Sequence, residues 1–263
     1  MCGRFAATTD PARLARYLHA VDETGTADHA SNHAPNYAPN YNVAPTARVA
    51  TVVSESAARR LRLMVWGFEP PWANRGPNRG PSSGPSSGRS KPLINARAET
   101  LTTSPAFRSA AARRRCLVPM DGYYEWKPSA DPMAGKRKTP YFFFRSDGEP
   151  LLVAGLWSDA GFTVVTTGAV GDFAEVHDRM PLVLGPACWD RWLDAEQPAP
   201  AEVLAAGPQV GGLAMREVST LVNRVANNGP ELIAPVAVGP RAIGSEQGAL
   251  FDPASERTSH DRG

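Results

Sequence analysis

Cys2 has the most unusual chemical opportunity in this chain. It directly follows Met1, so loss of Met1 would leave it with a free α-amine beside its thiol. A 1,2-aminothiol condenses with aldehydes: the amine forms a Schiff base, and the thiol then closes a five-membered thiazolidine ring. An α-amine with a reference pKa of about 7.7–8.0 is roughly one-tenth neutral at pH 7, enough to react. The thiol, with a reference value near 8.5, needs a neighbouring base or an iminium already in place. Taken alone, a cysteine at position 2 is more readily explained by chance. Cys116 and Cys188 lie in apolar surroundings and read as inert core thiols. Three cysteines at these spacings form neither a disulfide framework nor a zinc motif. His29 and His33 stand four apart, but the surrounding Pro and Asn argue against a helix that would align them, so no metal is expected.

A second chemical feature is the placement of charge. The 263-residue chain has a net charge of only +2, yet Ala58 to Arg115 holds eleven Arg and one Lys against Glu69 and Glu99, a local +10. Trp66, Phe68 and Trp72 fall in the same stretch. Guanidinium groups suit bidentate phosphate contacts and aromatic rings stack on bases, so the pattern fits a groove for single-stranded nucleic acid. A solvated basic surface, with the three aromatics capping the core, fits the same residues. Hydrophobic content of 42% and charged content of 21% are those of a soluble globular protein. No apolar run is long enough to span a bilayer, and the N-terminus lacks a signal-peptide pattern, so a cytoplasmic protein is expected.

These residues need elements to hold them. Thr9-Asp10-Pro11 predicts a capped helix start, with Leu14, Leu18 and Val21 on one apolar face. Alternation and turn residues predict strands at Val49–Val53, Arg60–Phe68, Tyr141–Arg145, Leu151–Trp157 and Phe162–Thr167. Asp121-Gly122 reads as a hairpin turn. Pro186–Ala195 and Pro200–Ala205 read as helices opening on Pro, and Leu213–Ser219 and Ile233–Val238 as edge strands. The segment 74–90 repeats Gly-Pro with Asn, Arg and Ser, cannot bury a core, and is expected to be a mobile surface insertion. Residues 239–263 lack hydrophobic pattern and are expected to be a disordered tail. Strands far outnumber helices without regular interleaving, which predicts a β-rich α+β single domain over residues 1–238.

With these segments in view, the chain resembles the SOS-response-associated peptidase (SRAP) domain family. The resemblance runs from Met1 to about Pro235 and is carried by an ordered series of motifs. These are Met1–Phe5, Asn42–Thr46, Trp66-Gly67 with Pro71-Trp72, Asn95–Thr100, Arg115–Pro119, Gly122–Trp126, Ala154–Trp157, His177–Pro181, and Val222-Asn223 with Pro230–Ile233. It implies a barrel-like core with flanking helices, and a protein that senses abasic sites in single-stranded DNA by forming a covalent thiazolidine crosslink through Cys2. It also implies catalytic roles for Asn95, Glu125 and His177. Glu125 would move protons as the sugar ring opens, His177 would shuttle them as carbinolamine becomes Schiff base, and Asn95 would hold the new N-terminus or the sugar. Without the resemblance, Glu125 reads as a surface strand carboxylate, His177 as a structural histidine paired with Asp178 or backbone, and Asn95 as a cap.

Arg4 and Arg97, close in sequence to Cys2 and Asn95, are the expected phosphate ligands, and Trp66, Phe68 and Trp72 the expected base-stacking groups. A monomer without cofactor, metal or membrane partner is expected, with DNA binding placing it at the nucleoid. Two departures from the family pattern stand out: the insertion at 74–90, and Gly168-Ala169-Val170 in the loop before His177. Two other functions fit parts of the sequence. One is a peptidase or amidohydrolase using Cys2 as an N-terminal nucleophile; the other is a non-covalent single-strand binder. An AP-lyase side reaction and removal of Met1 by the chain itself are compatible with the first reading.

Overall fold

The computed structural model describes residues 2–25, 37–70, 72–73, 91–129, 135 and 137–236. The insertion at 74–90, the tail at 239–263, His29 and His33 lie outside these residues.

In chain order the elements are β1 (Arg4–Ala7), α1 (Pro11–Leu18), β2 (Ala20–Asp22), β3 (Asn40–Val43), β4 (Arg48–Glu55), β5 (Ala58–Val65) and β6 (Asn95–Arg97). There follow α2 (Arg108–Arg113), β7 (Arg115–Met120), β8 (Gly122–Pro128), β9 (Lys138–Arg145), β10 (Leu151–Ser158) and β11 (Gly161–Gly168). The last are β12 (Arg179–Pro181), α3 (Pro186–Leu193), α4 (Ala201–Ala206) and β13 (Leu213–Glu217). The strands form two sheets. The first has the order β13-β9-β8-β1-β3; the second runs β12-β11-β10-β7-β4-β5-β2, with β6 added parallel to β11. Both are open, so the β-rich α+β fold is realised as two packed sheets and not as a closed barrel.

Side-chain alternation creates three apolar layers. Phe5, Tyr123 and Phe143 of the first sheet meet Val49, Val53, Cys116, Val118 and Val164 of the second, with Cys2 among them. Leu117, Leu152, Ala154 and Val165 cover the other face of the second sheet against α1, α2 and α3. Ala6, Tyr124, Phe142, Val218, Val222 and Leu232 close the outer face of the first sheet. A central strand such as β7 is therefore buried at every position, which explains its nearly continuous apolar run.

The helix at Asp10 forms as expected: its carboxylate accepts from the amides of Ala12 and Arg13, and Leu14 and Leu18 are buried. Val21 instead belongs to β2 and is exposed. The larger difference concerns Asp121-Gly122. It does not close a hairpin, because β7 pairs with β10 and β4 whereas β8 pairs with β1 and β9. The turn hands the chain from one sheet to the other. Asp121 holds it there by accepting from the Thr8 amide and from the hydroxyls of Thr8 and Thr9. Gly122 is needed because a Cβ would lie 2.3 Å from the Phe142 ring and 2.4 Å from the Phe143 carbonyl oxygen. The expected strand at Ile233–Val238 is reduced, in the described part, to a single bridge between Val218 and Pro235.

Candidate functional site

The apolar layer between the sheets ends in a polar cluster where four separated segments meet. Cys2 precedes β1 and is fully buried. Asn95 opens β6, and its Nδ2 donates to the Cys2 carbonyl oxygen at 2.9 Å. Its Oδ1 is buried and accepts no hydrogen bond from the described residues. The pairing of Asn95 with Val164 in the parallel β6–β11 ladder fixes this side chain against the start of the chain.

Glu125 projects from β8, on the same side as Tyr123 because alternate residues of a strand share a face. Its carboxylate is 5% exposed, and its Oε2 lies 4.0 Å from the Nε2 of His177. That separation is long for a hydrogen bond but suits two groups that act on one intervening atom. Burial pushes the Glu125 carboxyl up, opposed in part by the nearby imidazole of His177. The Cys2 thiol is likewise raised, first by burial and then by the charge of Glu125. The thiol is thus held protonated until something removes the proton or supplies an electrophile.

The loop carrying His177 is closed where the Ala169 amide donates to the Asp178 carbonyl at 2.9 Å, so the variant Gly168-Ala169-Val170 segment still forms a defined turn. Within it, the Arg179 amide donates to Nδ1 of His177 at 3.0 Å, and Oδ1 of Asp178 lies 2.9 Å from the same nitrogen. A neutral ring accepting at Nδ1 carries its proton on Nε2, facing Glu125; a doubly protonated ring donates from Nδ1 to Asp178.

Two residues that sequence reasoning left without a role join these segments. Arg179 makes a forked ion pair with Glu99, at 2.6 and 3.0 Å, and donates to the Thr166 carbonyl at 2.7 Å. Glu99 follows Asn95 in one motif and Arg179 follows His177 in another, so the pair locks the Asn95 and His177 segments together. The opposite charges of the two motifs were the available signal. The guanidinium also holds the Glu99 carboxyl below its ordinary range.

The expected DNA-contacting residues divide. Arg97 is exposed at the end of β6 beside the site, and Trp72 is exposed. Trp66 and Phe68 are buried: Trp66 packs on Phe5 and donates to the Ile94 carbonyl, and Phe68 packs on Phe107. Neither presents a ring face to a base, and their place is the core cap. Arg4 turns inward as well, donating to Asn42 Oδ1 at 2.7 Å and to the Val222 carbonyl at 2.9 Å. Asn42 in turn donates to the carbonyls of Val222, Arg224 and Asn227. Arg4 therefore anchors β1 and is spoken for in this structure.

The basic stretch is also dispersed. Arg60 and Arg62 pair with Glu23 and Glu55 on the outer face of β5, Arg59 pairs with Asp190, and Arg114 pairs with Asp159. Arg115 is buried and donates to the carbonyls of Ala111, Ala112, Trp192, Asp194 and Gln197. Its charge serves the packing of α2 and α3 against β7. Arg75, Arg79 and Arg89 lie outside the described residues.

The family model described as "SOS response associated peptidase (SRAP)" matches residues 1–225. The chain is 32% identical to the abasic site processing protein YedK of Escherichia coli over 248 residues, covering 90% of this chain and 100% of that protein. It is 28% identical to the abasic site processing protein HMCES of Gallus gallus, covering 91% of this chain and 79% of that one. Among solved structures, a Bacteroides thetaiotaomicron protein superimposes with a TM-score of 0.68 at 21% identity, covering 89% of this chain and 99% of that one. A phage-related protein of Bordetella bronchiseptica does so with a TM-score of 0.61 at 29% identity, covering 83% and 95%. No described helix is long and apolar enough to cross a membrane.

Proposed function

Because the chain belongs to the SRAP family, we propose that it processes abasic sites in single-stranded DNA, with Cys2 as the covalent reagent once Met1 is removed. The observation that carries this reading is the convergence of Cys2, Asn95, Glu125 and His177 from four segments of the chain. The names of the relatives, each an abasic site processing protein, point to the same substrate.

The residues divide the chemistry as follows. An abasic deoxyribose is mostly a closed hemiacetal. Glu125 takes the proton of the anomeric hydroxyl and returns it to the ring oxygen, which frees the aldehyde. The Cys2 amine attacks the aldehyde carbon to give a carbinolamine, and His177 protonates the departing hydroxyl as the iminium forms. Asn95, already bonded to the Cys2 carbonyl, holds the amine against that carbon. The thiol then adds to the iminium carbon, the C=N pair returns to nitrogen, and the thiol proton passes to Glu125. Arg97 and Trp72, both exposed, are the contacts for phosphate and base.

The test is denaturing electrophoresis after incubation with matched single-stranded oligonucleotides, one abasic and one intact. A heat-stable adduct with the abasic strand alone is expected; no adduct, together with equal retention of both strands on a native gel, would leave only a non-covalent binder. Hydrolysis of peptides in the absence of DNA would instead favour the N-terminal-nucleophile peptidase. A second expectation concerns the link between motifs. Arg179→Lys keeps the charge but loses the fork, and should slow adduct formation on the order of tenfold through misplacement of His177. Melting should show only about 1 kcal/mol of destabilisation, because Glu99 is half exposed. A rate equal to wild type would remove Arg179 from the positioning machinery.

A further inference from the structure

Two adjacent tyrosines on β8 have opposite fates. Tyr124 faces the outer layer, and its hydroxyl donates to the Tyr41 carbonyl at 2.7 Å. Tyr123 faces the inter-sheet layer that contains Cys2; it is 1% exposed, and its hydroxyl has no hydrogen-bond partner among the described residues. Its ring is fixed, stacked on Phe143 with centroids 4.7 Å apart and planes 8° from parallel, and its backbone pairs with Phe5 of β1. A phenylalanine would keep the stack and the ladder without leaving a buried polar atom unpaired. Buried hydroxyls without partners are rare enough to ask what partner they await. Burial dominates the environment of this phenol, followed by its neighbours Cys2 and Glu125; Cys2 shares its apolar cluster and Glu125 its strand face, so it lies at the end of the layer that holds the candidate site. Burial keeps it protonated, hence a hydrogen-bond donor.

Resting on the reading of Cys2 as the reagent, we infer that the Tyr123 hydroxyl donates a hydrogen bond to the Cys2 sulfur as that sulfur closes the ring on the iminium. In this step the S–H proton moves to the Glu125 carboxylate, the sulfur–carbon bond forms, and the C=N pair returns to nitrogen. Tyr123 keeps its own proton throughout. The burial that raises the Cys2 thiol makes such a donor valuable, because water does not reach the sulfur to solvate it as it ionises. The amine step does not involve sulfur and needs no help from Tyr123.

That asymmetry supplies the experiment. Tyr123→Phe and wild type are incubated with an abasic single-stranded oligonucleotide, with and without borohydride, and both products are timed on denaturing gels. Borohydride traps the Schiff base and reports the amine step; the heat-stable adduct without reductant reports ring closure. Tyr123→Phe should trap at the wild-type rate but close the ring about 10- to 100-fold more slowly, the effect of losing a hydrogen bond to a charged acceptor. Its melting temperature should equal or exceed that of wild type. Ring closure at the wild-type rate would overturn the assignment while leaving the Cys2 reading intact. Equal loss of both products with a lowered melting temperature would assign Tyr123 to packing alone. Absence of both products from wild type would remove the reading on which the assignment rests.

Discussion

A Cys2→Ser protein freed of Met1 is expected to yield no heat-stable adduct with abasic DNA, while still giving an imine that borohydride can trap. Serine keeps the α-amine and nearly the same shape, so binding, ring opening and Schiff-base formation persist. Only the sulfur is lost, and an oxygen ring on the same carbon reopens readily. This variant is more informative than an apolar one because it separates the two functional groups of the reagent. The mass of each intact protein establishes that Met1 has left, without which neither group pair exists. Cys2 is fully buried, so a hydroxyl there with no partner would cost about 1–3 kcal/mol, a loss that melting curves reveal and that leaves the fold intact. A heat-stable adduct from this variant at the wild-type rate would exclude the thiol from the product.

The second large effect is expected at Glu125. Glu125→Gln retains the volume but cannot accept or return a proton, and adduct formation should slow by about 10²–10⁴-fold. The same substitution should stabilise the fold. The Glu125 carboxyl is raised above its ordinary value of 4.5 by burial, so it binds its proton more tightly folded than unfolded. Its contribution to stability is therefore fully present below about pH 4.5 and is lost as the pH rises through the folded-state value. Wild type should melt below Glu125→Gln at pH 8, and the gap should close on acidification towards pH 4. A gap independent of pH would mean that the carboxyl is not perturbed, and a rate unchanged by the substitution would leave the ring-opening step without its base.

The contrast between what the chain discloses locally and what it conceals follows from the range of the interactions involved. Strands β4, β5, β9, β10 and β11 were legible because alternation and turn residues are local properties. The Asp10 cap was legible for the same reason. The candidate site was legible as an ordered set of motifs, and the contact of Asn95 with Cys2 follows that pattern across 93 residues. The misplaced readings all concern partners far away in sequence. Arg4 looked available for phosphate because Val222 and Asn42 do not sit near it in the chain. Arg60 and Arg62 looked like part of a groove because their carboxylates come from Glu23 and Glu55. Asp121-Gly122 has the composition of a hairpin turn, but the strands on either side find better pairing in different sheets. Trp66 and Phe68 carried both readings from the start, and only packing decides between them.

The bond between Arg4 and the Val222 carbonyl joins residues 218 positions apart. A ribosome adding 5–20 residues per second needs roughly 10–45 s to travel from one to the other. Throughout that interval the start of the chain has left the ribosome without the segment that secures β1. An aminothiol exposed so early would meet free aldehydes in the cell before it met DNA. If Cys2 is the reagent proposed above, retaining Met1 until the turn at Val222 has docked on Arg4 would keep that reagent unspent, and the order of maturation would matter alongside the geometry of the finished site.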